Sequence, residues 1–506
     1  MRNRKIPILL FALLVIFFFR FIPAPTGLNA DGMQVVGIFL GTLLLWIFVG
    51  IDWPSLLCLA ALTLVPVLDP EQVFASSFGN ETFVFLLFTF MLTYALSQTS
   101  IIKRIALAFI TSKWAQKGAW QLTLLFLLSV LLIGLFISPT VLFFIMLPIL
   151  EEIYGILNLK KGSTFASMLM IGLVISCSLS SGMTPIAHVF PVIALGVFES
   201  IANMTISYAD YMAFAIPSGL LIFLFMLLVF RFILKPDTKQ FKQLDKADFK
   251  EMQTEPVTTR EKMILSIFVI VILLWVLPGI ISPILPNIAA TIDSFGTAVP
   301  PLAGVVVLAM LRLEGKPLLI INEAITKGVS WPSLIMAAST LAIGSALTNE
   351  DIGLINYVSN VMKPIAQGLS PLLIVGLFIA WATFESNIGS HMVTSQVVTS
   401  VAVPIALSSN MVEAASLAAV IGLVASIGSA TPPSMPYVAI AGSSGWTNTI
   451  QMLKYGMLVA VGTLIIALFI AYPLANLFIN VLKLETYFSI RIPWYTKDLM
   501  HKINFN

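Results

Sequence analysis

The chain has 506 residues, 58% of them hydrophobic and only 10% charged, with a mean hydropathy of +1.00 and a formal net charge of +3. A soluble domain carries about 25% charged residues, so this composition excludes a soluble globular protein, and so small a net charge gives no footprint for nucleic acid. Cys58 and Cys177 are the two cysteines, both within apolar runs, which leaves no disulfide framework and no zinc spacing.

Long apolar stretches recur from end to end, the mark of a polytopic membrane protein. Helices satisfy their own backbone in lipid, so the expected fold is all-α. The short alternating strands of a β-barrel are not seen. The N-terminus, "MRNRKIPILLFALLVIFFFRF", has the basic start and apolar run of a signal peptide. The run is long, contains Arg20 and lacks a clean small-x-small cleavage site, so it reads as a retained first helix within residues 1–32.

Further apolar segments fall at about 33–49, 52–68, 82–112, 119–157, 163–200 and 208–234. After a charged break they resume at 263–282, 296–313, 331–365, 370–407, 412–443 and 452–478. The break, residues 231–262, holds eight Lys/Arg and six Asp/Glu, and with Arg2, Arg4 and Lys5 it is placed on the cytoplasmic side by the positive-inside rule. The tail from Leu482 is basic and aromatic (Arg491, Trp494, Tyr495, Lys497) and is expected along a membrane surface.

Three landmarks repeat in order. Ser138 within "FISPTVLFF" corresponds to Ser386 within "TFESNIGSH", "SLSSGMTPIAHVFP" (178–191) to "SIGSATPPSMPYVA" (426–439), and "YALSQTSI" (94–101) to "SALTNEDI" (345–352). Nearly constant offsets argue for duplicated halves, 33–235 and 263–479, joined by a linker at 236–262 and followed by a tail at 480–506. Five crossings per half with opposite orientation, plus the first helix, give about eleven transmembrane helices. Segments 119–157 and 370–407 read either as re-entrant hairpins or as double crossings. Duplicated halves with paired helix interruptions point to a secondary transporter.

The interruptions are Ser138-Pro139-Thr140, Ser181-Gly182-Met183-Thr184-Pro185, Ser386-Asn387-Ile388 and Ser429-Ala430-Thr431-Pro432-Pro433. Proline removes a backbone donor and stops a helix. Ser, Thr and Asn can cap the half-helix that follows. Unwound backbone in a membrane is tolerated only against protein or a wet cavity. Half-helix N-termini attract anions, and exposed carbonyls attract cations. No Lys or Arg occurs at 119–158, 163–230 or 364–453, the ranges that contain all four interruptions. An anion bound there would be met by helix N-termini, hydroxyls, amides and co-bound cations rather than an arginine clamp. Small carboxylates suit such a site.

This layout resembles the divalent anion/sodium symporter family, which moves di- and tricarboxylates and carries Ser-Asn-Thr at two hairpin tips and a Thr-Pro-rich break in each half. "SATPPSMPYVAIAGSSG" is the most specific match, and the resemblance covers about residues 33–478. It implies a homodimer in the cell membrane, with a scaffold domain and a transport domain that moves as an elevator. It further implies substrate contacts from Ser138, Pro139, Thr140, Gly182, Thr184, Pro185, Ser386, Asn387, Ile388, Thr431 and Pro432, with sodium near Asn387 and Ala430. The expected substrate is a dicarboxylate such as succinate, malate, fumarate or 2-oxoglutarate, with a tricarboxylate or sulfate as the alternative. Pro139 replaces the first family asparagine and Ile388 the second threonine, which removes an amide oxygen and a hydroxyl. Dicarboxylate exchange and sodium-coupled symport both stay open.

Glu385, His391 and His188 flank the interruptions. Glu385 would repel a dianion and is expected to support the site from behind, since intramembrane acids are costly. Each histidine fits either a contact to substrate or a bond to a buried carbonyl. Glu81, Glu350 and Asp351 read as interfacial, and Glu151-Glu152 as facing the cytoplasm. Gly442-Ser443-Ser444-Gly445 formally matches the nucleophile motif of an intramembrane serine protease, which would need a histidine base within hydrogen-bond reach. An anion channel is the remaining alternative. The paired breaks favour alternating access, and no enzyme activity is expected.

Overall fold

The computed structural model describes residues 2–238, 241, 256–281, 284–349, 351–354, 357, 360, 370–409, 411–432 and 434–479. Glu350, Pro433, most of the linker and the basic tail lie outside the described residues.

The first half runs α1 (Arg2–Phe18), α2 (Ala30–Phe48), α3 (Asp52–Leu62), α4 (Pro70–Ser77), α5 (Glu81–Ser97) and α6 (Ile101–Ile110). It continues with α7 (Ala119–Gly134), α8 (Pro139–Ile156), α9 (Thr164–Met183), α10 (Val189–Ala202) and α11 (Tyr208–Val229). After the linker come α12 (Thr259–Ile281), α13 (Pro286–Asp293), α14 (Val299–Met310) and α15 (Trp331–Thr348). The chain then forms α16 (Pro371–Ile388), α17 (His391–Ser409), α18 (Ala414–Ala425), α19 (Pro436–Ser443) and α20 (Thr449–Ile466). Short polar side chains start many of them. Asn29, Asn80, Ser163, Ser207, Ser370 and Asn448 each accept a first-turn backbone N–H at the head of α2, α5, α9, α11, α16 and α20.

Among the described residues, seven helices are long and apolar enough to cross a membrane, or eight if the segment Ile321–Gly328, bent by 77° against Trp331–Leu347, counts as one span. The all-α reading has one small exception. Arg312–Leu313 and Lys316–Pro317 pair antiparallel around Glu314 and Gly315. Both turn residues have positive φ, 53° and 79°, as the tightest hairpin turn requires. Arg260 Nη2, at the start of α12, donates to the Pro317 and Leu318 carbonyls (2.9 and 2.8 Å) and holds this hairpin in place.

Two hydrophobic cores result. The smaller collects Ala12, Ile16, Val35, Cys58 and Leu62 from α1–α3 around Met336 and Ile343 of α15 and Val397 of α17. The larger runs from α5 to the end of the described chain. At its centre lie α9 and α18. Every residue of α18, and every residue of α9 beyond Thr164, is buried. Small residues let the backbones approach there, as expected where apolar burial cannot drive helix association in lipid. Gly182 sits where a Cβ would lie 2.8 Å from the Leu423 carbonyl oxygen, and Gly422 packs against Pro191 and Ala194 of α10.

Candidate functional site

The four interruptions meet in the larger core. In the first half, α7 ends at Gly134 and α8 restarts at Pro139 with Ser138 as its N-cap. Proline is tolerated there because the first turn has no intrahelical partner for its N–H. The Ser138 hydroxyl makes no capping bond to α8. After α9, Thr184 leaves the helix in extended conformation (φ −138°, ψ 147°), and α10 begins one residue past His188.

The second half differs at its tip. Ser386, Asn387 and Ile388 form the last turn of α16, and the break falls at Gly389 and Ser390. The cause is the residue at the position of Pro139. Asn387 keeps its N–H and continues the helix, whereas proline cannot. Asn387 therefore does not cap the helix that follows. Its Oδ1 accepts from the Ser429 and Ala430 backbone N–H groups (3.1 and 3.2 Å), and its Nδ2 donates to the Thr383 carbonyl (2.8 Å). The amide joins the tip to the break some forty residues on.

A matching pair of bonds runs through both halves. Thr184 Oγ1 donates to the Leu135 carbonyl (2.5 Å), and Thr431 Oγ1 donates to the Asn387 carbonyl (2.7 Å). Each Thr-Pro break is thus fastened to the hairpin of its own half. The halves are also joined to each other. The Gly428 carbonyl accepts from Ser178 Oγ (3.1 Å) and from His391 Nε2 (2.9 Å), and Tyr437 donates its hydroxyl to Ser178 (2.7 Å). Tyr211 donates to the Gly182 carbonyl (2.6 Å). Ser386, Asn387 and His391 are fully buried in this network.

A cavity of about 350 Å³ lies against it, between the first tip and the bent segment that leads into α15. Ser138, Thr140, His188 and Met435 line it, together with Tyr94, Lys327, Ser330 and Ser333. Of the residues singled out from sequence, Ser138, Thr140 and His188 reach this cavity. Gly182, Thr184, Asn387, Ala430 and Thr431 lie in the bonded network described above. Pro139 and Pro185 are buried, Pro432 is half-buried, and Ile388 is 62% exposed. Glu385 is half-buried, with Oε2 buried and unpartnered, and it does not line the cavity. His188 rests on Phe190 with ring centroids 4.0 Å apart, and its Nδ1 is buried without a hydrogen-bond partner.

Sequence reasoning missed Lys327, Ser330, Ser333 and Met435. A signal existed for Met435. It stands 247 positions after His188, the offset that also relates Thr184 to Thr431. Both residues are N-caps of the helix after a Thr-Pro break, with nearly the same backbone angles (φ −159°, ψ 165° and φ −153°, ψ 152°). Gly-Val-Ser-Trp-Pro at 328–332 was a further interruption, hidden because it stands at the edge of an apolar run. The Ser443 and Ser444 hydroxyls donate to backbone carbonyls of Ala439, Ile440 and Ala441, and His391 is committed to Gly428, so no nucleophile and base pair is assembled there.

Five helices begin on the cavity wall: α8, α10, α15, α17 and α19 contribute first-turn or N-cap residues Ser138 and Thr140, His188 and Phe190, Ser330 and Ser333, Met392, and Met435 and Pro436. Fold and site together define a multi-pass membrane protein with a polar centre built from interrupted helices. The chain belongs to the family described as the sodium:sulfate symporter transmembrane region, whose model matches residues 3–480. That agrees with the divalent anion/sodium symporter resemblance carried by the breaks. It is 25% identical over 481 residues to the sodium-dependent dicarboxylate transporter SdcS of Staphylococcus saprophyticus, a match that covers 92% of this chain and 89% of that one. It is 24% identical over 478 residues to SdcS of Staphylococcus aureus strains RF122 and USA300, with the same coverage.

Proposed function

We propose that the chain is a secondary active transporter of small dicarboxylate anions, of the succinate, malate, fumarate and 2-oxoglutarate class, across the cell membrane. The observation that carries this reading is the convergence of five helix N-termini on one cavity that also holds the Ser138 and Thr140 hydroxyls. The N-terminal end of a helix bears about half a positive elementary charge and presents unpaired N–H groups. Several such ends around one cavity favour an anion without an arginine clamp. No carboxylate lines the cavity among the described residues. The two Staphylococcus relatives, named as dicarboxylate transporters, favour this substrate class over sulfate, which the family's description keeps as the second reading.

The proposed architecture has about eleven crossings, with 33–235 and 263–479 as inverted repeats and 119–157 and 370–407 as re-entrant hairpins. The N-terminus and the 236–262 linker are cytoplasmic, and the working unit is a homodimer. The bonds that fasten both Thr-Pro breaks to both tips support a transport domain that moves as one elevator body. Two coupling modes fit the same site. The relatives' names favour sodium as co-substrate. Pro139 favours exchange, and so does Asn387 Oδ1, which is engaged by two N–H donors instead of being turned out toward a cation.

The test is uptake of labelled succinate into proteoliposomes, empty or preloaded with succinate, with sodium or choline outside. Uptake impaired by Ser138→Ala and Thr140→Ala supports the site. Succinate uptake that is absent, or unchanged in both variants, sinks it. Trans-stimulation without sodium assigns exchange, and steep sodium dependence without trans-stimulation assigns symport.

A further inference from the structure

The one charged side chain on the cavity wall, among the described residues, comes from an element that carries none of the four interruptions. Lys327 stands one residue before the end of the segment Ile321–Gly328, which meets Trp331–Leu347 at 77°. Its position is fixed by its neighbour. Gly328 lies so close to α5 that a Cβ would sit 2.6 Å from Tyr94 Cβ, so the bend is packed against Tyr94 and the lysine is held at the cavity edge. Its recorded partner is Glu323, with Nζ 3.4 Å from Oε1 and the side chains 62% and 45% exposed. An exposed pair of this kind, one turn apart on a helix, contributes little to stability and exchanges its partner cheaply. The same cavity is lined by Ser138 and Thr140, whose hydroxyls are donors without charge. A dianion that reached them would bring its second carboxylate into a cavity whose one formal positive charge is the Lys327 ammonium.

We propose that Lys327 is a substrate-recognition residue that releases Glu323 and takes one carboxylate of the bound dianion, so that Glu323 acts as an internal competitor for the substrate. The inference rests on the reading that this cavity receives the transported anion. It goes further in assigning the anion's counter-charge to the segment that bears no break, and in making the site select dianions over monoanions. An ammonium is a compact point charge that does not require two-pronged geometry, so a flexible carboxylate chain can be met at varied lengths.

The variants Lys327→Gln, Lys327→Arg, Glu323→Gln and the Gln/Gln double are purified, checked for monodispersity, and assayed as full-length protein in proteoliposomes. The probes are succinate and its monoamide, succinamate. Loss of a hydrogen bond to a charged group is expected to raise the succinate KM of Lys327→Gln on the order of tenfold, with about twofold or less for the monoanion. Lys327→Arg recovers most of the loss. Glu323→Gln lowers the succinate KM, and the double variant follows Lys327→Gln alone. A salt bridge with a merely structural role would move both single variants the same way, and that result overturns the inference. So does an unchanged succinate KM in Lys327→Gln while Ser138→Ala and Thr140→Ala still impair uptake. Failure of wild-type succinate uptake, or indifference of the two hydroxyl variants, instead overturns the reading of the cavity itself.

Discussion

Thr431 donates its hydroxyl hydrogen to the main-chain carbonyl of Asn387 at 2.7 Å, and Thr184 makes the corresponding bond to Leu135 at 2.5 Å. Each bond crosses from a Thr-Pro break to the hairpin of the same half. A backbone carbonyl in the interior of a membrane protein has no water to fall back on, so these hydroxyls complete the termini of α7 and α16 as well as fix the breaks. Thr431→Val keeps the shape and deletes the donor. It is expected to cost about 1–2 kcal/mol and to lower the midpoint of thermal unfolding in detergent, while Thr431→Ser is milder. No shift with valine would show that the bond does not hold the break.

Glycine substitutions separate close approach from simple flexibility. A Cβ at Gly428 would overlap the Ser386 carbonyl oxygen and His391 Nε2, and one at Gly182 would meet the Leu423 carbonyl and Ser426. Gly428→Ala is therefore expected to destabilise by several kcal/mol, on the order of 3, and to abolish uptake, with Gly182→Ala somewhat milder. Gly155, on α8, has nothing within 4 Å of its would-be Cβ. Gly155→Ala is expected to stabilise by up to about 1 kcal/mol through helix propensity. Thermal unfolding of the three variants checks the predicted opposite signs.

His188 and Met435 occupy equivalent N-cap positions, yet one carries a ring with N–H chemistry and the other a thioether. A buried N–H without an acceptor is rarer than a buried bare acceptor. The unpartnered Nδ1 therefore keeps its lone pair, and the imidazole proton goes to Nε2. His188→Gln preserves a donor at about that reach, while His188→Leu removes it. The expected result is a succinate KM raised about fivefold or more in the leucine variant and much less in the glutamine variant. Equal effects would assign His188 to packing.

Glu261 offers a pH prediction away from the apolar spans. Its Oε1 accepts from the Ser100 hydroxyl (2.5 Å) and N–H (2.7 Å), and its Oε2 from the Thr258 N–H (2.9 Å) and hydroxyl (3.0 Å). The Glu261 N–H donates to the Thr258 hydroxyl (3.2 Å), which closes a capping box at the head of α12. These bonds, led by the Ser100 hydroxyl, hold the carboxyl down from 4.5 to about 2 against the cost of its removal from water. The folded state thus binds the proton less readily than the unfolded chain. The stabilisation is complete above about 4.5 and is lost as pH falls from there toward 2. The midpoint of unfolding of wild type minus that of Glu261→Gln should shrink over that window and stay flat above it. A difference that grows on acidification would contradict the assignment.

Three of the four interruptions could be read directly because proline and threonine stop an apolar helical pattern where they stand together: Pro139-Thr140, Thr184-Pro185 and Thr431-Pro432. The fourth was displaced. Nothing local tells that Asn387 will spend its amide on Ser429 and Ala430, because those partners are brought to it only by the packing of α16 against α18. Lys327 was illegible for a related reason. The stretches that carry the interruptions lack basic residues, and that fact says nothing about an element that folds back onto them from elsewhere in the chain. The split of segment 82–112 into α5 and α6 also escaped the hydropathy pattern. Gln98, Thr99 and Ser100 are too few to lower the mean, yet Ser100 is where Glu261 attaches.

The burial of α18 leaves it dependent on its neighbours. At 1.5 Å rise per residue the 12 residues of α18 reach about 18 Å, well short of the roughly 30 Å hydrocarbon core. It cannot rest in the bilayer as an independent span. With no lipid-facing side in the finished protein, it has no use for one. Its place is made by α10, α16 and α17, which pack around it, so the centre of the transporter is held in the membrane by its protein neighbours rather than by lipid.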